Sequence, residues 1–145
     1  MKIGAFPDRA RVYTENAMLA HILIIDDNPI DLKLAAGLLE LRGYKVDVAI
    51  DAEQAQSILS NVVPDLILTD IALPGMDGLT LTRLLKADAR LKRVPVVALT
   101  GFAMQGDAER AAAAGCDAYI TKPINPRTFV DQISKVTPAS HAQAK

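Results

Sequence analysis

The sequence predicts an α/β fold: a doubly wound, five-stranded parallel sheet of flavodoxin-like order 2-1-3-4-5 with five helices on its two faces. Three observations predict it. The runs HILII, DLILT and VPVVAL have strand length and lack polar alternation, as buried parallel strands do. Stretches of helical periodicity lie between them, so strand and helix alternate along the chain. Each run also ends in a polar group: Asp26 and Asp27 after HILII, Asp70 after DLILT, Thr100 after VPVVAL, and Lys122 after the shorter CDAYIT. Parallel strands bring their carboxyl ends to one edge, and that edge is where open α/β sheets bind ligands.

Each element carries a local signal. Residues 1–20 show no clean periodicity and are read as a leader or linker, with a helical turn or two expected within Tyr13–Ala20. His21–Ile25 is the first strand. Asn28-Pro29 supplies an N-cap and a first helical position, after which Ile30, Leu34, Leu38 and Leu41 recur at helical spacing until Gly43 ends the helix. Lys45–Ala49 alternates as a second strand, and Asp51 with Gln54 three residues on opens a second helix. Asp65–Asp70 is the third strand. The turn-rich LPGMDG leads from it into a helix over Leu79–Lys86, with Asp77 as its cap. Pro95 opens the fourth strand, an alanine-rich helix runs from about Gln105 to Ala114, and Gly115 closes it. Ala118–Thr121 is a short fifth strand. Asn125-Pro126 repeats the cap signal, and Phe129, Ile133 and Val136 mark one apolar face of the last helix. The unit spans residues 21–137, and 138–145 is expected to fray.

Composition narrows the function classes. With 145 residues, 50% hydrophobic and 23% charged, the chain has the makeup of one globular domain with a substantial core. Sixteen basic residues against seventeen acidic ones leave no basic footprint for nucleic acid or an anionic membrane. No apolar stretch approaches a membrane span and the start lacks a secretion signal, so a cytoplasmic location is expected. The lone Cys116 excludes an internal disulfide and reads as an inert, buried or half-buried thiol. His21, at a strand start, and His141, in the tail, are assigned no role.

The charged strand ends suit a cation and a phosphoryl group better than packing. Carboxylates brought within a few ångströms repel one another, and a divalent cation relieves that strain. Mg²⁺ is the expected ion because the donors are oxygens and no Cys or His lies nearby. A carboxylate held this way can attack phosphorus and form an aspartyl phosphate, with Lys122 supplying a point charge and Thr100 a hydroxyl donor to the transferred group. Asp26 or Asp77 taken singly is no more than a helix or turn cap. The ensemble of Asp27, Asp70 and Lys122 carries the reading, because each charge ends an apolar strand where it would otherwise go unpaired.

The motifs IIDDN, LTDIALPGMDG, ALTG and YITKP, in this order and strand context, resemble the receiver domain of two-component response regulators. The resemblance covers about residues 21–137. It implies that Asp70 is the phosphoacceptor, that Asp27 ligates Mg²⁺ directly and Asp26 largely through water, and that the Ala72 backbone carbonyl completes the protein ligands. It further implies that Thr100 and Tyr119 form a switch pair, that Lys122 is the family's phosphate-facing lysine, and that the bond before Pro123 is cis. The phosphoryl donor is then a histidine kinase or a histidine phosphotransfer protein, in a phosphorelay or two-component system. No output domain being seen after residue 138, output is expected through a downstream protein contacting about Gln105–Val136, from a monomer or a phosphorylation-dependent dimer. The chain catalyses its own modification, and no separate turnover substrate is expected.

Two other classes compete. A flavodoxin-type cofactor binder needs hydroxyls and amides after the first strand, where Asp26 and Asp27 would repel a phosphate. A phosphohydrolase with an aspartyl nucleophile usually carries a second acid two residues on, where this chain has Ala72. A receiver that never takes phosphate is argued against by the complete acidic set. Ala72, and Phe102 two residues after Thr100, also occupy places where some receivers carry acid or amide groups that orient a hydrolytic water. The expected outcome is a long-lived phosphoryl group, measured as slow decay of radiolabelled protein and accelerated by Phe102→Glu. Fast decay that Phe102→Glu leaves unchanged contradicts it.

Overall fold

The computed structural model describes residues 20–101 and 106–138. The helical turns expected within Tyr13–Ala20, the Gln105 start of the fourth helix, Phe102, His141 and the fraying of the tail therefore fall outside the described residues, Ala20 excepted. Among the described residues, strands β1 (His21–Ile25), β2 (Lys45–Ala49), β3 (Leu66–Asp70), β4 (Val96–Thr100) and β5 (Ala118–Thr121) alternate with helices α1 (Pro29–Leu41), α2 (Ala52–Leu59), α3 (Gly78–Ala87), α4 (Asp107–Ala114) and α5 (Phe129–Val136). All strand pairs are parallel and the order is β2-β1-β3-β4-β5, the doubly wound arrangement expected from the sequence.

Side-chain alternation along each strand divides the interior into two cores. Ile22 and Ile24 of β1, Leu66 and Leu68 of β3, and Val97 and Leu99 of β4 face Leu32, Ala35 and Leu39 of α1 together with Phe129, Val130 and Ile133 of α5. Leu23, Ile25, Ile67 and Val96 point the other way, against Ala52, Ala55 and Leu59 of α2 and Leu81 and Leu85 of α3. Because β1, β3 and β4 are buried on both faces, they read as unbroken apolar runs. β2 is an edge strand, so Lys45 and Val48 are exposed.

The helix ends follow local chemistry. Asn28 accepts hydrogen bonds from the amides of Ile30 and Asp31, Asp51 from that of Gln54, and Asp77 from that of Thr80. This last bond holds the Asp77 carboxyl below the usual aspartate range. The Gln54 side chain reaches back to the amide of Ile50, one residue before the position a capping box would use. Gly43 and Gly115, at φ of 96° and 107°, adopt the left-handed turn that ends α1 and α4. The last helix departs from the sequence expectation. Asn125-Pro126 opens a separate turn, in which the amides of Thr128 and Phe129 bond the Asn125 carbonyl, and α5 starts only at Phe129. The Asn125 side chain is spent on the Arg127 amide within that turn.

Phe129 is fully buried at the centre of the α1/α5 core. Phe129→Ala is expected to cost about 3–5 kcal/mol of folding free energy, measured by urea denaturation, because it removes a large apolar group and leaves a cavity.

Candidate functional site

Register brings the polar strand ends together. Ile25 pairs with Ala49 and Thr69, Asp70 with Leu99, and Thr100 with Thr121, so residues 26, 70, 100 and 122 share the carboxyl-terminal edge of the sheet. Lys122 follows β5, and its peptide bond to Pro123 is cis, as the sequence resemblance implied.

The Lys122 ammonium is the centre of the site. Its Nζ lies 2.7 Å from Asp70 Oδ2, 2.9 Å from Asp26 Oδ2 and 3.1 Å from Asp31 Oδ2. Burial works against the lysine charge, but the hydrogen bond to Asp70 and the close carboxylates of Asp26 and Asp31 more than offset it and hold its pKa above the ordinary lysine value. Lys122 is therefore a fixed positive charge across the physiological range.

Asp26 is 1% exposed. Its Oδ1 accepts from the Asn28 amide at 2.9 Å. Its Oδ2 meets Lys122 as a charge contact without hydrogen-bond alignment, and finds no hydrogen-bond partner among the described residues. Burial raises the Asp26 pKa, opposed by the Asn28 amide and the Lys122 ammonium, and the neighbouring Asp70 charge raises it further. Asp70 is buried, with Oδ1 bound by the Ala72 amide at 2.9 Å and Oδ2 by Lys122. Asp27 is exposed at the mouth. One oxygen from each of Asp26, Asp27 and Asp70 can be chosen so that all lie within 4.8 Å of one another.

This donor set fits Mg²⁺. Every donor is a carboxylate oxygen, one buried oxygen has no aligned donor, and three carboxylates, Asp26, Asp31 and Asp70, share a single ammonium with Asp27 grouped beside two of them, leaving a formal deficit of positive charge. A hard divalent ion answers all three conditions.

The other expected residues stand around this centre. Thr100 is buried, and by strand alternation its side chain belongs to the face opposite that of Leu99. Its Oγ1 donates to Asp107 Oδ2 at 3.4 Å, and Asp107 in turn pairs with Arg110. Tyr119 is 51% exposed, so its ring stands at the surface. Ala72 lies in the turn after β3 with its amide on Asp70. Three participants escaped sequence reading. Asp31 sat in a first helical turn, where an acid needs no other explanation than the helix dipole. Asp107 belongs to the first turn of an alanine-rich helix, where an acid is as ordinary as Asp31 is in its own. Gly78 followed an obvious cap residue, and only the fold reveals its second duty. Its amide bonds the Ile71 carbonyl at 3.1 Å, and a Cβ there would collide with the Asp70 carbonyl oxygen and lie 2.9 Å from Ile71 Cα. α3 can therefore close on the strand end that carries Asp70 only through a glycine.

The match to a family model decides the family. The model for the response regulator receiver domain matches residues 22–134. The chain belongs to the response regulator receiver family. Among curated relatives, the polar-differentiation response regulator DivK of Brucella ovis is 41% identical over 116 residues, covering 80% of this chain and 94% of DivK. DivK of Brucella anthropi is 42% identical over 112 residues, covering 77% of this chain and 91% of its own. Among solved structures, the receiver domain of the sensor histidine kinase PA1611 of Pseudomonas aeruginosa, which has a magnesium ion coordinated in its active-site cleft, is 34% identical with a TM-score of 0.73, covering 80% of this chain and 95% of its own. A CheY-like receiver domain protein of Methanospirillum hungatei is 34% identical with a TM-score of 0.72, covering 81% of this chain and 92% of its own. Among the described residues, no helix is long and apolar enough to cross a membrane.

Gly78→Ala is expected to destabilise this receiver by about 1–3 kcal/mol in urea unfolding, the usual cost of forcing a methyl group into packed structure. It should also weaken Mg²⁺ binding in calorimetric titration, because the displaced backbone carries Asp70. Parental stability and Mg²⁺ affinity in this variant contradict the close-contact argument.

Proposed function

We propose that this receiver domain takes a phosphoryl group on Asp70 from a phosphohistidine partner, a histidine kinase or a histidine phosphotransfer protein. The observation that carries the reading is Asp70 itself, buried at the sheet edge, held by Lys122 at 2.7 Å and grouped with Asp26 and Asp27. A structural ion pair needs one acid, whereas this site gathers several acids that repel one another, an arrangement that makes sense when a cation and a phosphoryl group are handled there.

In the proposed reaction an Asp70 carboxylate oxygen attacks phosphorus. The P–N bond to the donor histidine breaks as the P–O bond forms, and the imidazole leaves with the electron pair and takes a proton. The Ala72 amide and the Lys122 ammonium orient the two Asp70 oxygens before attack. As charge moves onto the phosphoryl oxygens, Lys122 neutralises one of them, being already fully charged and in place. The Thr100 hydroxyl turns to a second. Asp26, Asp27, Asp70 and the Ala72 carbonyl would hold Mg²⁺, which when bound supplies positive charge to the phosphoryl oxygens and screens the carboxylates from one another.

Tyr119, exposed in this structure, is the second member of the switch, its ring turning inward behind Thr100 when that hydroxyl moves. The surface over about residues 105–136 then presents a changed face to a downstream protein, with the receiver acting as a monomer or as a phosphorylation-dependent dimer. The functional unit is residues 21–137, preceded by a leader or linker and working in the cytoplasm without nucleic-acid or membrane contact.

Incubation with acetyl phosphate and Mg²⁺ is expected to add one phosphoryl mass to the parent protein and none to Asp70→Asn, read by intact mass spectrometry. Chelation of Mg²⁺ should abolish the gain. An equal gain in Asp70→Asn, or no gain in the parent, overturns the assignment.

A further inference from the structure

We propose that Asp107 and Arg110 form a latch that holds the Thr100 hydroxyl away from the phosphoryl position until phosphorylation outbids it, a proposal that rests on the reading of Asp70 and Thr100 given above.

The geometry makes Asp107 a competing acceptor. Asp107 is the first residue of α4, and its side chain is 11% exposed, an unusual burial for a carboxylate. Its two oxygens are divided. Oδ1 pairs with the Arg110 guanidinium one helical turn on, and Oδ2 receives the Thr100 hydroxyl at 3.4 Å. That bond is long for an O–H···O contact, so it is made at less than full strength and is readily exchanged. Thr100 sits one residue beyond the β4 partner of Asp70, and strand alternation directs its side chain to the face that α4 approaches. Two anionic acceptors thus flank one hydroxyl: the Asp107 carboxylate in the resting state and the phosphoryl oxygens after transfer.

Arg110 sets the strength of the latch. Its side chain is 61% exposed and its guanidinium takes up part of the Asp107 charge, so Asp107 attracts the hydroxyl less than an unpaired buried carboxylate would. Release of Thr100 costs the fold little, since Asp107 keeps its ionic partner. The latch therefore biases a two-state hydroxyl without freezing it, and an activating group need only bind better in the released state. Because Asp107 opens α4, a change in its bonding is felt first at the start of that helix, within the surface proposed to meet the downstream protein.

The test is calorimetric titration of the full chain with beryllofluoride and Mg²⁺, a stable mimic of the phosphoryl group. Asp107→Ala is expected to tighten the apparent Kd about three- to tenfold, the range for losing a weak hydrogen bond to a charged group in the resting state. Asp107→Asn, which preserves shape, shifts it the same way by less. Arg110→Gln is expected to loosen binding, because the unneutralised Asp107 grips the hydroxyl harder. A residue that merely supports the fold would move all three in one direction. In a Thr100→Val background the Asp107 effect should vanish. Unchanged or weaker binding in both Asp107 variants, tighter binding in Arg110→Gln, or an Asp107 effect that survives Thr100→Val overturns the latch. Failure of the underlying reading looks different: the parent then binds no beryllofluoride, Asp70→Asn binds as the parent does, or Thr100→Val alone costs nothing.

Discussion

The site depends on one unequal electrostatic contract, a single ammonium shared among Asp26, Asp31 and Asp70. Bringing these acids to a sheet edge removes water from groups that prefer it, and the structure meets that cost only in part. Lys122 gains, since three carboxylates overcome its burial. Asp26 loses, since one of its oxygens is buried without an aligned donor. A cluster left with such a deficit is poised to bind positive charge, and affinity for a hard cation follows from the same imbalance that limits stability. The ions form a reserve of unmet interaction rather than a brace for the fold.

What holds the edge in place is the apolar packing beneath it. β1, β3 and β4 carry large side chains on both faces, and α1 with α5 on one side and α2 with α3 on the other clamp them. Two backbone details carry this rigidity up to the chemistry. The Asp26 side chain folds over its own chain onto the Asn28 amide, and the Ala72 amide reaches back to Asp70. α3 then closes on the end of β3 at Gly78. Asp70 is thereby fixed by strand pairing below, by a turn above and by a helix start beside it.

The order of the sheet was legible because buried parallel strands leave a continuous apolar signature, and the members of the site were legible because charges at the ends of such runs need a reason. Strand boundaries came within a residue for the same cause. Other features left weaker traces. The turn at Asn125-Pro126 has the composition of a helix cap, and only the hydrogen bonding of Thr128 and Phe129 shows that regular helix begins later. Asp31 and Asp107 resemble ordinary acids of a first helical turn, a position that the helix dipole favours on any helix. Gly78 illustrates the general limit: its importance lies in the distance between two segments, which no local pattern encodes.

The strand parity of the site divides its labour. Asp70 and Lys122 alternate in step with Leu68 and Ile120, whose side chains join the α1/α5 core, so the acceptor and its ammonium stand over a tightly packed layer. Thr100 falls out of step with Leu99 and turns toward α4, where its partner Asp107 is bound to an exposed arginine. Groups that must be in position before transfer are thus placed on the stiff side. The group proposed to answer transfer is placed on the side with the longer, weaker bond. A difference of about 1.4 kcal/mol moves such an equilibrium tenfold, a quantity that one hydrogen bond to a charged acceptor can supply. Nothing in the core need rearrange for the edge to change state. On the reading proposed here, the signal remains a local exchange of one hydroxyl between two anions, and its reach is set by what is attached to the start of α4.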